Sequence, residues 1–257
     1  MTRHHIAFDC EGSALVGTID EAAGSTGLLI VGGGNELRSG AWNGQALLAA
    51  RIATVGYPVF RFDRRGVGDS EGPNGAFRSS GQDIAAALAA FRAEAPHVTR
   101  MVAFGNCDGA SALMLSGGKG FDALVLSNPW TIENDDAEAP PEALRSHYAQ
   151  RLKDPKALLR LLKGKVSLSQ LFASLKNALR PAPPPSSLAQ EIAGGLKQFK
   201  GPVSILLASR DRTAQAFEAS WDRADKRIAR CAGATHSYVE VDARVWLEIQ
   251  LLSALVG

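Results

Sequence analysis

Apolar positions along the chain follow two rhythms. Gly27-Leu28-Leu29-Ile30-Val31 is a continuous apolar run, as expected of a strand covered on both faces. Pro58–Phe62, Arg100–Phe104, Ala123–Ser127, Val203–Ala208 and Arg227–Cys231 also read as strands. Between them, Trp42–Val55, Asp83–Ala95 and Ala110–Leu115 repeat apolar residues at helical spacing, and Ala214–Asp225 and Val241–Leu255 follow later. His4–Asp9 and Ala14–Asp20 form an opening hairpin around Glu11-Gly12-Ser13. Strand alternating with helix implies a mostly parallel sheet with right-handed crossovers and helices on both faces, the α/β class.

The alternation stops after Ser127. From Pro129 to about Lys200 no strand-like run occurs, and helical segments are expected near Pro141–Leu152, Pro155–Leu162, Leu168–Leu179 and Leu188–Phe199. Pro181-Ala182-Pro183-Pro184-Pro185 separates the last two as a stiff break. This reads as a helical cap, residues 130–200, inserted into a single domain spanning 1–257. Charge sets it apart: residues 142–200 hold 11 Lys/Arg and 3 Asp/Glu, net +8, whereas the residues before carry 10 and 16. Such a stretch is either a solvated basic face or a surface that attracts an anionic substrate, carrier or membrane.

Composition excludes several classes. Apolar residues make up 46 % and charged residues 21 %, an ordinary globular balance. Neither a signal-peptide pattern nor a run of 18 apolar residues appears, so a cytoplasmic protein is expected. Cys10, Cys107 and Cys231 stand far apart with no Cys/His ligand spacing, which suggests neither a disulfide framework nor a metal site. No cofactor and no nucleic-acid partner is implied.

The chemistry centres on Gly105-Asn106-Cys107-Asp108-Gly109, of the form G-x-C-x-G. It lies between a predicted strand and a predicted helix. A nucleophile on such a sharp turn has a strained backbone, and side chains two residues to either side would collide with it, hence the glycines. The following helix N-terminus favours a thiolate on Cys107. The backbone N–H of Asp108 would face a developing oxyanion, with a second N–H from Gly34 or Asn35 in the Gly32-Gly33-Gly34-Asn35 loop. The Asp108 side chain is an oddity, since a carboxylate there opposes a thiolate unless it points away. His236 would serve as the base, oriented by Asp211, with Asp135 and Asp136 as rival acids.

Cys107, Asp211 and His236 follow one another in the order nucleophile, acid, histidine, each just past the C-terminal end of a predicted strand. The chain thus resembles an α/β-hydrolase. Asp63-Arg64-Arg65-Gly66-Val67-Gly68-Asp69-Ser70 is similar to a loop-shaping stretch common in that superfamily. This stretch from Arg61 to Gly72, the Gly-rich loop before Leu37-Arg38-Ser39-Gly40 and the basic cap together resemble the exosortase A system-associated hydrolase type 1 family. That family is associated with bacterial exopolysaccharide and protein-sorting gene clusters. The usual nucleophile of the superfamily is Ser; Cys with His and Asp is similar to dienelactone hydrolase. The expected activity is that of an esterase or thioesterase working through an acyl-enzyme on Cys107, with a small-molecule or carrier-linked acyl substrate that the resemblance itself does not imply. Acyl transfer by the same intermediate, or a non-catalytic scaffold binding a partner through the basic cap, are the alternatives.

Overall fold

The computed structural model describes residues 2–133 and 186–257. Most of the expected cap, with Asp135 and Asp136, lies outside the described residues.

Eight strands form one sheet: β1 (Arg3–Cys10), β2 (Ser13–Asp20), β3 (Thr26–Val31), β4 (Val59–Phe62), β5 (Arg100–Asn106), β6 (Ala123–Ser127), β7 (Val203–Ala208) and β8 (Ile228–Cys231), in the spatial order β1-β2-β4-β3-β5-β6-β7-β8. β1 and β2 pair antiparallel, β2 pairs antiparallel with β4, and every pairing from β4 to β8 is parallel. The hairpin turns through Glu11 and Gly12, both at positive φ (52° and 81°), the two-residue geometry that matches strand twist.

The described helices are α1 (Gly44–Thr54), α2 (Gly81–Glu94), α3 (Asp108–Leu115), α4 (Ser187–Leu196), α5 (Arg212–Ser220) and α6 (Val241–Val256). Period-two alternation in β3 distributes them. Leu28 and Ile30 join a core with Leu48 and Ile52 of α1 and Leu247 and Leu251 of α6. Leu29 and Val31 join the opposite core, with Ile84 and Phe91 of α2, Leu113 of α3, Ile192 of α4 and Phe217 of α5. That is why the run reads as uninterrupted: both of its faces are buried.

Several boundaries differ from expectation for local reasons. The helix expected at Trp42 opens with a short 3-10 turn, Ala41–Asn43, because Trp42 and Asn43 hold φ of 46° and 68°. The helix expected to reach Asp225 stops at Ser220, where Trp221 is extended. Trp221 instead stacks on Phe217 at 4.8 Å and donates its indole N–H to Asp225 at 2.9 Å. Within the stretch assigned to the cap, α4 packs on the sheet body: Leu188, Ile192 and Leu196 are buried beside α3, and a Cβ on Gly195 would lie 2.2 Å from the Met114 carbonyl oxygen. Ser186 caps α4 by accepting from the Ala189 N–H at 3.1 Å.

Candidate active site

The parallel strands end together. Val31 pairs with Gly105, Asn106 with Ser127, Ser127 with Leu206 and Ala208 with Cys231, so the loops that follow converge on one edge. Cys107 sits there between β5 and α3 with φ 59° and ψ −128°, a conformation that costs about 1–3 kcal/mol in a non-glycine residue. Neighbouring hydrogen bonds hold it. The Cys107 N–H donates to the Ser127 carbonyl at 3.0 Å, and its own carbonyl accepts from Ala110 at 3.1 Å and Ser111 at 3.3 Å. The flanking glycines are steric requirements: a Cβ on Gly105 would stand 2.7 Å from the Ala110 nitrogen, and one on Gly109 would stand 2.5 Å from the Val31 oxygen.

Asp211 follows β7 and caps α5, accepting from the Ala214 N–H at 3.0 Å. The same oxygen, Oδ2, lies 2.9 Å from Nδ1 of His236. His236, in the loop after β8, also hydrogen-bonds Cys107. Burial alone would push the imidazole's pKa down. The hydrogen bonds to Asp211 and Cys107, with the charge of Asp211, outweigh burial and raise it to about 10. Cys107, Asp211 and His236 are therefore in one connected group.

The other expected residues are also at this edge. The Gly34 N–H donates to Oδ1 of Asp108 at 2.7 Å. The Asp108 carboxylate also pairs with Arg64 at 3.1 Å. Asn35 is exposed, and its side-chain oxygen accepts from Asn74 at 2.8 Å. Gly33 is buried against the elbow, where a Cβ would stand 2.8 Å from that of Cys107.

Sequence reasoning missed a buried amide pair that holds the histidine loop. Nδ2 of Asn128 donates to Oδ1 of Asn106 at 3.0 Å and to the His236 carbonyl at 3.2 Å, while its Oδ1 accepts from the Ala208 N–H at 2.9 Å. Asn128 thereby ties β5, β7 and the His236 loop together at a φ of 45°. The visible signal was an Asn directly after a buried strand, at a position where Asn tolerates positive φ. Tyr238 adds a second tie, its hydroxyl 2.9 Å from that of Ser127, and burial pushes its pKa up. Arg64 was also missed as a site residue. Its motif does shape the loop, through Asp63 accepting from the Arg38 N–H at 2.5 Å and Ser70 donating to the Asp63 carbonyl at 2.7 Å.

Beside Ser237 lies a cavity of about 50 Å³, bordered also by Glu36, Trp42, Gln45, Asn106 and Arg244. Burial pushes the Glu36 carboxyl up, and the charge of His236 opposes this. Among the described residues, no group of three or more His, Cys, Asp or Glu could hold a metal ion, and no helix is long and apolar enough to cross a membrane.

A family model described as the alpha/beta hydrolase family matches residues 28–247, and the chain belongs to that family. Solved structures of this fold are similar over nearly the whole length. An esterase from Pyrococcus furiosus has 18 % identity and a TM-score of 0.64, covering 100 % of this chain and 91 % of its own. The alpha/beta hydrolase GrgF from a Penicillium species has 18 % identity and a TM-score of 0.66, with 100 % of both chains covered. A serine hydrolase without a lid from Xanthomonas campestris has 14 % identity and a TM-score of 0.62, covering 99 % of this chain and 96 % of its own. No protein of curated function matches.

Proposed function

We propose that this member of the family is a cysteine-nucleophile hydrolase of esters or thioesters, working through an acyl-enzyme on Cys107. One observation carries the reading: the His236 imidazole bridges the Asp211 carboxylate, 2.9 Å from Nδ1, and the Cys107 side chain on its strained turn. With a pKa near 10, His236 is an imidazolium at neutral pH. It and the α3 N-terminus both favour negative charge on the sulfur.

In this mechanism the thiolate attacks the acyl carbon. A sulfur–carbon bond forms, and the carbonyl electron pair moves onto oxygen, which the Asp108 N–H and an N–H of Gly34 or Asn35 receive. Collapse expels the alkoxide or thiolate leaving group, which takes its proton from His236. Neutral His236 then draws a proton from water, whose oxygen attacks the thioester carbon. The second collapse releases the acid and returns the thiolate facing the imidazolium. Asp211 keeps the Nδ1 proton in place throughout, so that the other ring nitrogen serves Cys107.

The net +8 of residues 142–200 favours an anionic, carrier-linked donor. The test is intact-protein mass spectrometry after exposure to short-chain p-nitrophenyl esters and acyl thioesters. A covalent acyl adduct is expected on the wild-type protein and not on Cys107→Ala. Turnover that survives in Cys107→Ala, or an adduct retained in it, would refute the mechanism.

A further inference from the structure

The Asp108 carboxylate occupies a telling position. Its Oδ1 accepts the Gly34 N–H at 2.7 Å and one N–H of Arg64 at 3.1 Å. The same Arg64 nitrogen donates to the Gly34 carbonyl oxygen, and its other terminal nitrogen donates to the Ser80 hydroxyl at 3.1 Å. Arg64 is thus anchored independently of Asp108, with its side chain 8 % exposed against 16 % for Asp108. Gly33, which precedes the Gly34 N–H, lies against the elbow: a Cβ there would stand 2.6 Å from the Asn106 carbonyl oxygen and 2.8 Å from the Cβ of Cys107. The Gly34 N–H, one of the two expected as the second oxyanion donor, is already donating to a carboxylate of the protein's own.

We infer that Asp108 is a positioning residue that holds the Gly34 N–H in reserve: its carboxylate fills the second oxyanion position in the resting protein and retreats onto Arg64 when the acyl oxygen takes that N–H. The inference rests on Cys107 being the nucleophile. A neutral ester carbonyl is a weaker acceptor than a carboxylate, so it competes poorly for the N–H. An oxyanion competes on equal terms. The donor is thereby spent on the tetrahedral state rather than on ground-state binding. Arg64 makes the retreat possible, because it supplies a counter-charge already in contact with Oδ1 and fixed by Ser80 and Gly34.

The experiment uses carbon-13-labelled hexanal, to which the thiolate adds. A sulfur–carbon bond forms and the carbonyl electron pair moves onto oxygen, giving an oxyanion that the N–H donors receive while the His236 imidazolium keeps its proton. The dissociation constant of this hemithioacetal is read by NMR and by competition with a p-nitrophenyl ester. Each protein is measured above the pH midpoint of its Cys107 alkylation, so that thiolate fractions are equal. Asp108→Ala should bind hexanal about tenfold more tightly than wild type, the size expected when one charge-assisted competing hydrogen bond is removed. Affinity for 1-hexanol, which forms no oxyanion, should not change. Asp108→Asn, similar in shape but neutral, should shift the same way by less. Arg64→Gln should weaken hexanal binding about tenfold, and adding Asp108→Ala should abolish that loss, with hexanol affinity level in all variants; a merely structural contact would not confine its coupling to the oxyanion-forming ligand. Unchanged or weaker hexanal binding in both Asp108 variants, an equal shift for hexanol, or additive effects would overturn the inference. A wild-type protein that forms no hemithioacetal at all would instead refute Cys107 as nucleophile.

Discussion

One oxygen of Asp211 serves two donors: Oδ2 accepts from the Ala214 N–H at 3.0 Å and lies 2.9 Å from Nδ1 of His236. The helix cap holds the carboxylate in the position that the imidazole meets. Asp211→Asn keeps a capping oxygen and loses the charge. At neutral pH it should lower thermal stability, because the imidazolium loses its anionic partner, and lower kcat/KM by about 10²–10⁴-fold. Asp211→Ala should lose the activity and, with the cap, about 1 kcal/mol more of stability. Equal activity in Asp211→Asn and wild type, measured on any turned-over ester, would remove Asp211 from the mechanism.

The three cysteines should differ in reactivity. Burial, reinforced by Asp83, pushes the Cys10 thiol up to about 11, and burial also raises Cys231. Cys107 is only partly buried and touches the His236 ring. Iodoacetamide should label Cys107 first in the folded protein, and more slowly in His236→Ala. Peptide mapping of the alkylated protein checks this; equal labelling at all three positions contradicts it.

His236 should couple folding to pH. Its pKa rises from an ordinary 6.5 to about 10 on folding, so protonated His236 stabilises the native state. That contribution is complete below about pH 6.5 and disappears as pH climbs through about 10. The stability difference between wild type and His236→Ala, from urea melts at several pH values, should shrink steadily across this window. A constant difference would mean that the imidazole does not hold its proton in the folded protein.

Glycine at 105 and 109 is enforced by backbone on the other side. Alanine at 109 would press its Cβ to 2.5 Å from the Val31 oxygen, and at 105 to 2.7 Å from the Ala110 nitrogen. Each variant should lose about 1–3 kcal/mol and displace Cys107, reducing its alkylation rate together with activity. Gly194→Ala, where a Cβ meets nothing within 4 Å, is the control and should be neutral or slightly stabilising.

Asn128→Ala should cost about 1–3 kcal/mol, because it strands the Ala208 N–H and the Asn106 oxygen in a buried place and puts Ala at a φ of 45°. Its released contact with the His236 carbonyl should lower kcat more than it raises KM. Chemical denaturation and steady-state kinetics on the same preparation separate the two effects.

Much of this was legible in the chain itself. Apolar runs of strand length between helical repeats specified the sheet, since a strand buried on both faces has no polar positions to hide. Glycines at 105 and 109 around Cys107 marked the elbow, because the collision they avoid is local and travels with the residues that cause it. The opening hairpin was readable for the same reason: it depends on neighbours within a few positions. Residues brought together from distant segments were not readable. Asn128 and His236 are 108 positions apart, and Arg64 and Asp108 are 44 apart. No spacing rule relates them; only the closure of the sheet puts their polar atoms within hydrogen-bond reach. The orientation of the Asp108 carboxylate was undecided for the same reason. A sequence shows that a carboxylate stands beside the sulfur, whereas its direction is set by the Gly34 N–H and the Arg64 guanidinium, which arrive from two other strand ends.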